Sequence, residues 1–124
     1  LHVALDRRGI LRGVGGATDK NKMGRVADYI RAYYAEDVNL DDLAGVIGVS
    51  RSYLVRAFKK AHGMTPYAFL INCRVQKARH ALKRGERIVD VALDCGFADQ
   101  AHFQRVFKRL MATTPRHYAM AHVA

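Results

Sequence analysis

The sequence predicts an all-α protein of about seven helices, in which two helix-turn-helix subdomains are joined by a long linking helix. From residue 23 onward, apolar residues recur at the spacing i, i+3, i+4, i+7 that places them on one face of a helix, and no segment alternates as a strand does. In addition, the segment VRAFKKAHGMTP (55–66) returns as QRVFKRLMATTP (104–115), 49 residues later. This similarity indicates that one structural unit is present twice.

The first unit opens with an amphipathic helix that starts near residue 23. Its apolar residues fall on one face: Val26, Tyr29, Ile30 and Tyr33. The first helix-turn-helix is predicted over about residues 40–62. Asn39 is the N-cap of its first helix, which ends near Gly48, and Ser50 is the N-cap of its second helix. That second helix ends at Gly63 and is predicted to bury one stripe, Leu54, Ala57, Phe58 and Ala61.

A long linking helix is predicted over about residues 66–83. Thr65 is a suitable N-cap, and Pro66 suits the first helical position because an N–H group there would have no helical partner. The inward stripe of this helix consists of Ile71, Val75, Ala78 and Leu82. The sequence Arg-Gly-Glu at residues 84–86 ends it.

The second unit repeats the first, with a helix-turn-helix over about residues 88–111. A short helix ends at Gly96, and Asp99 is the N-cap of the helix that follows. One stripe of that helix is predicted to be buried, namely Phe103, Val106, Phe107 and Leu110. Thr114 and Pro115 begin a last short helix that runs to about Met120. The second turn, GFAD, is one residue longer than the first, GVS.

The charge balance predicts an anionic partner. The chain holds 21 Lys and Arg residues against 11 Asp and Glu residues, which gives a formal net charge of +10. A compact domain this basic repels itself unless it meets nucleic acid, acidic lipid or an acidic protein. No apolar run approaches the roughly 18 residues of a membrane span, so no membrane-spanning segment is predicted.

The sequence predicts no cofactor, no metal site and no enzyme activity. Cys73 and Cys95 form no Cys-x-x-Cys pair, and the five-residue spacing of His117 and His122 is only a weak metal signal. Phosphate-binding loops, nucleophile elbows and paired carboxylates are not found. Two buried thiols in a reducing cytoplasm are expected.

A short helix, a Gly-containing turn and an amphipathic helix form a helix-turn-helix, whose second helix can enter the DNA major groove. In the first unit the outward residues are Arg51, Ser52, Val55, Arg56 and Lys59. In the second unit they are Gln100, Ala101, Gln104, Arg105 and Lys108. Arg can bond guanine, Gln can bond adenine, and Val or Ala can contact the thymine methyl group. The doubled pattern therefore predicts binding to double-stranded DNA.

Residues 23–121 resemble the DNA-binding domain of the AraC/XylS family of bacterial transcription regulators. The resemblance rests on RVQKARHAL in the linking helix, IVDVALDCGF before the second turn, and the F-x-R-x-F-K-R and TP-x-x-Y motifs after it. It implies a monomeric module whose two reading helices enter successive major grooves of promoter DNA. Because family members mostly activate transcription, it also implies contact with RNA polymerase in the bacterial cytoplasm, at the nucleoid.

Together with the outward faces, the resemblance predicts which residues meet DNA. Base contacts are expected from Ser52, Val55, Arg56, Gln100, Ala101, Gln104 and Arg105. Backbone contacts are expected from Arg51, Tyr53, Lys59, Lys60, His102, Lys108 and Arg109. The apolar side chains of Val55 and Ala101 leave hydrogen-bonded base reading open at these two positions. Ala112 stands where Gly63 stands in the first unit, which predicts a slightly different helix end.

Residues 1–22, rich in Gly and Arg, are predicted to be an interdomain linker or the end of an N-terminal regulatory domain that senses a ligand or dimerises. The operator, the effector and the choice between activation and repression stay open. One alternative is a basic helical module that docks an acidic protein or a polymerase subunit without reading DNA sequence. The other is an enzyme, since related segments occur fused to a DNA-repair alkyl-transfer domain, but neither Cys has a neighbouring base in sequence.

Overall fold

The computed structural model describes residues 19–122. Over this range the chain is all-helical, as predicted, and holds seven helices and no strand. The helices are α1 (Asp19–Ala32), α2 (Leu40–Val46), α3 (Arg51–His62), α4 (Pro66–Lys83), α5 (Ile88–Asp94), α6 (Gln100–Met111) and α7 (Pro115–His122). Helix α1 begins four residues before the predicted start. The prediction began too late because the first turn of the helix is polar and shows no apolar period. The rest of the predicted linker, residues 1–18, lies outside the described residues.

The predicted N-caps are confirmed. The side chains of Asn39, Ser50 and Asp99 accept hydrogen bonds from the backbone N–H groups three residues later, at 3.1, 3.1 and 2.7 Å. Thr65 and Thr114 do the same ahead of α4 and α7, at 3.2 and 3.1 Å. Each cap satisfies an N–H group that the helix leaves without an internal partner, and so fixes where the helix starts.

The described residues divide into two compact units. The first comprises residues 19–33 and 38–70 and closes around Phe58. The Phe58 ring lies 5.4 Å from Phe69 in an edge-to-face contact and 4.4 Å from His62, whose Nε2 atom is 3.2 Å from the carbonyl oxygen of Met23. The other buried residues around it include Val26, Ala27, Tyr29, Ile30, Leu43, Ala44, Ile47, Leu54 and Leu70. This core holds α3 from its inner face.

The second unit comprises residues 34–37 and 71–122. Phe107 lies at the centre of an aromatic cluster, 5.5 Å from Phe103 and 5.6 Å from Tyr118, and Phe97 lies 5.0 Å from Phe103. The predicted inward stripe of α4 is confirmed, since all four of its residues belong to this core: Ile71, Val75, Ala78 and Leu82. Aromatic pairs at these distances add to the stability that burial provides.

Two predicted core positions are wrong. Ala61 is exposed, and Leu110, at the matching position of α6, is 48% exposed. Ala57 is only half-buried. A seven-residue helix such as α2 or α5 is about 10 Å long, whereas α3 and α6 are about 18 Å long, so the shorter helix cannot cover the last turn of the longer one.

The ends of α3 and α6 both lie in the left-handed region and differ only slightly in φ and ψ, as predicted. Gly63 has φ 80° and ψ −1°, and Ala112 has φ 59° and ψ 19°. The N–H groups of both residues donate to a lysine carbonyl four residues earlier, each at 2.8 Å. Ala112 therefore holds a left-handed conformation that costs an L-residue roughly 1–2 kcal/mol.

Candidate nucleic-acid interface

Helix α3 presents a basic outer face. Leu54 and Phe58 are fully buried and fix the rotation of the helix about its axis. The opposite face holds the exposed residues Arg51, Ser52, Arg56, Lys59 and Lys60. Val55 and Tyr53, also predicted to meet DNA, are half-buried at its edges. The helix contains no acidic residue, so all the charged side chains on its outer face are basic.

Helix α6 repeats this arrangement 49 residues later. Phe103 and Phe107 are fully buried, at the positions of Leu54 and Phe58. The exposed residues on the opposite face are Gln100, Ala101, Gln104, Arg105, Lys108 and Arg109. This helix also lacks acidic residues. In each unit the structure thus brings most of the predicted site residues onto one solvent-facing surface.

His102 differs from the other predicted contacts of α6. Its ring is half-buried, lies 5.6 Å from Phe97 in an edge-to-face contact, and has an Nδ1 atom that is buried without a hydrogen-bond partner. Packing therefore accounts for much of the position of this side chain. A backbone contact from His102 stays a prediction.

The charged residues of the outer faces are engaged weakly or not at all within the described part of the chain. Arg51 lies 3.7 Å from Asp41, and both side chains are more than 60% exposed. Exposed pairs of this kind contribute about 0–1 kcal/mol and are screened by salt. Arg51 therefore remains available to an anionic partner.

An open groove of about 540 Å³ lies beside α3 and is lined in part by α1. Its lining residues are Lys20, Met23, Tyr53, Arg56, Ala57, Lys60 and Ala61. Lys20 was not predicted as a site residue because it falls in the segment assigned to the linker. Its polar surroundings give no helical period, so only the structure places it near Arg56 and Lys60.

The second turn is supported by a buried arginine, Arg74, whose role was not predicted from the sequence. The Arg74 side chain is 8% exposed and donates hydrogen bonds to the carbonyl oxygens of Tyr34, at 2.6 Å, and Glu36, at 3.0 Å. A Cβ atom built on Gly96 would lie 2.9 Å from Arg74 Nε and from Ala35 Cα and O. The one signal in the sequence is that Arg74 falls on the apolar stripe of α4, between Ile71 and Val75.

Cys95 is poorly suited to act as a nucleophile. Burial, with the charges of Asp94 and Glu86 nearby, raises the pKa of the Cys95 thiol to about 11. A thiol that stays protonated at neutral pH is a weak nucleophile. Cys73 is half-buried in α4.

Among the residues that the structure describes, no group of three or more His, Cys, Asp and Glu side chains could hold a metal ion. In the same residues, no helix is long and apolar enough to cross a membrane.

Comparisons with known sequences identify the family of this chain. A family model described as a helix-turn-helix domain matches residues 43–121. The transcriptional regulator YbfI of Bacillus subtilis (strain 168) is 37% identical over 92 residues, which cover 74% of this chain and 33% of YbfI. The transcriptional activator RhaS of Enterobacter sp. (strain 638) is 32% identical over 117 residues, or 94% of this chain and 41% of RhaS. The chain therefore spans less than half the length of these relatives.

Solved structures are similar over most of the chain. A probable AraC family transcriptional regulator from Rhodopseudomonas palustris CGA009 has a TM-score of 0.75 at 26% identity, covering 84% of this chain and 99% of that one. The DNA-binding domain of AdpA, solved with a target DNA, has a TM-score of 0.74 at 26% identity, covering 80% of this chain and 90% of that one. With the family match, these similarities show that the chain belongs to the AraC/XylS family of transcription regulators and carries its DNA-binding domain.

Proposed function

We propose that this chain is the DNA-binding part of a bacterial transcription activator and reads a bipartite promoter site with two reading helices, α3 and α6. The observation that carries the proposal is that the two helices repeat one scaffold, with basic residues at matching outer positions. Each reading helix is pinned by buried apolar side chains, bears an exposed arginine two residues before a buried phenylalanine, and has two basic residues directly after that phenylalanine.

The base-reading residues on this proposal lie at the centre of each outer face. Arg56 and Arg105 are exposed, long enough to reach a base edge, and able to donate two hydrogen bonds to guanine. Gln100 and Gln104 can hydrogen-bond adenine, and Ser52 can hydrogen-bond adenine or guanine. Val55 and Ala101 can contact a thymine methyl group. Basic and polar residues around them hold the phosphate backbone: Arg51, Tyr53, Lys59, Lys60, His102, Lys108 and Arg109.

The two half-sites are expected to differ in sequence, because the outer residues of α3 and α6 differ while their scaffolds match. Ser52 and Val55 stand where Ala101 and Gln104 stand in the second unit. If the helices enter successive major grooves, the half-sites lie one turn, about 34 Å, apart. A closer spacing of the helices would require a DNA bend that costs on the order of 1–6 kcal/mol.

The remaining parts of the proposal concern partners. We expect this fragment to bind promoter DNA as a monomer, to contact RNA polymerase, and to act in the bacterial cytoplasm. The activator RhaS, of which the chain spans 41%, supports the activating role. We assign ligand sensing or dimerisation to an N-terminal regulatory domain.

The rival function is a basic helical module that docks an acidic protein without reading DNA sequence. Repeated selection of bound duplexes from a random-sequence pool separates the two. Sequence-specific binding enriches a motif, and the enriched duplex then outcompetes a scrambled duplex of the same composition in a mobility-shift assay. No enrichment, with equal competition by both duplexes, would favour the docking module.

A further inference from the structure

The groove beside α3 extends the basic surface beyond the helix-turn-helix. One wall is the reading helix, which contributes Tyr53, Arg56 and Lys60, and the other includes Lys20 and Met23 of α1. The family match begins at residue 43, so Lys20 lies outside it. A residue remote in sequence therefore shares one groove with three of the proposed DNA contacts.

The lining of the groove suits a sugar-phosphate strand. Three of its seven residues, Lys20, Arg56 and Lys60, are cationic and exposed, and none is acidic. Among the ion pairs of the described residues, none involves these three cations. The other wall residues include Ala57 and Ala61, whose small side chains leave room for a chain to approach the cations.

We infer that Lys20 binds a phosphate of the DNA backbone and that α1 thereby forms part of the DNA-binding surface of the first unit. The inference rests on the proposed function, because the occupant it names is the strand that α3 reads. The groove is continuous with the outer face of α3, since Tyr53, Arg56 and Lys60 belong to both surfaces. A strand whose phosphate Lys60 holds, while Arg56 reads a neighbouring base, therefore lies within reach of the Lys20 ammonium group.

The test compares Lys20→Ala with the unchanged 124-residue chain on two duplexes, the one enriched by selection and a random-sequence one. We expect affinity for both duplexes to fall by a similar factor, roughly threefold near physiological salt, because a phosphate contact carries no sequence information. The slope of log K against log salt concentration should become shallower by about 0.9. Lys20→Arg should restore both quantities.

Lys22→Ala is the matched control, because it removes the same charge from the same helix at a residue that does not line the groove. Its salt slope should stay close to that of the unchanged chain. As a second test, single phosphates of the selected duplex are replaced by neutral methylphosphonates. One replacement should weaken binding by the unchanged chain but not by Lys20→Ala, since the two changes remove the same contact.

Two results would overturn the inference. One is an unchanged salt slope for Lys20→Ala while Lys59→Ala shows the shallower slope; the proposed function would then stand without Lys20. The other is an equal loss of affinity in Lys20→Ala and Lys22→Ala, which would show that the loss comes from the change in net charge and not from a contact made by Lys20. If the unchanged chain binds the selected duplex no more tightly than the random-sequence duplex, the proposed function fails, and the inference that rests on it fails too.

Discussion

Gly63 and Ala112 end the two reading helices in the same left-handed backbone conformation, and each donates its N–H group to a lysine carbonyl four residues earlier at 2.8 Å. Glycine adopts this conformation without steric cost, whereas alanine brings its Cβ close to the following carbonyl oxygen. The second unit therefore keeps the helix end of the first with a less suitable residue.

Ala112→Gly is expected to raise the free energy of unfolding by up to about 1 kcal/mol, because relief of the left-handed strain exceeds the extra freedom of glycine in the unfolded chain. Urea denaturation followed by circular dichroism measures this. Ala61→Gly is the control, since Ala61 is an exposed helical alanine and its replacement should lower stability by about 1 kcal/mol. A loss of stability in both variants would contradict the strain argument.

Gly96→Ala is expected to destabilise the protein more than Gly48→Ala. Both glycines have positive φ, 92° and 76°, so each substitution carries backbone strain of about 1 kcal/mol. At Gly48 a Cβ atom would meet nothing within 4 Å, whereas at Gly96 it would lie 2.9 Å from backbone atoms of Ala35. Overpacking adds about 1–3 kcal/mol at Gly96 only. Thermal melts of the two variants measure the difference; equal losses would show that Ala35 and Arg74 do not confine the second turn.

Arg56→Ala and Arg105→Ala are each expected to weaken binding to the selected duplex by about 1–3 kcal/mol and to relax the preference at one base position. The reason is that a bidentate arginine discriminates guanine from the other bases. Selection repeated with each variant should lose information at one position, in the first half-site for one variant and in the second for the other. A variant that binds as tightly as the unchanged chain would remove its arginine from the base-reading set.

Lys59→Ala and Lys108→Ala are expected to weaken binding to every duplex by a similar factor. Each lysine follows a buried phenylalanine and is exposed, which suits contact with phosphate and not with a base edge. Loss of one phosphate contact should make the salt slope shallower by about 0.9. Titrations at several salt concentrations measure the slope, and a slope equal to that of the unchanged chain would exclude the contact.

The sequence predicted those features that depend on local chemistry and on the helical period. The Thr-Pro caps, the buried Phe58 and Phe107 and the outer faces needed only spacing and residue type, and the family resemblance then predicted which outer residues meet DNA. The period does not report how far a neighbouring helix extends. For this reason it assigned Ala61 and Leu110 to the core, where the structure leaves them exposed.

Two other features depend on contacts between segments distant in sequence. Lys20 belongs to a polar first turn without a period, and its place beside Arg56 follows from the packing of α1. Arg74 is buried because the carbonyl oxygens of Tyr34 and Glu36 accept its hydrogen bonds. Neither is visible in residue type alone.

The most direct test of the central claim is the content of the DNA motif that this chain selects from a random pool. Two reading helices with matched scaffolds and unlike outer residues predict two short, dissimilar half-motifs about one helical turn apart, on the same face of the duplex. Hydroxyl-radical footprinting of the selected duplex should show two protected patches with that spacing. A single half-motif, or a palindrome of two identical ones, would contradict the claim that α3 and α6 both read bases within one chain.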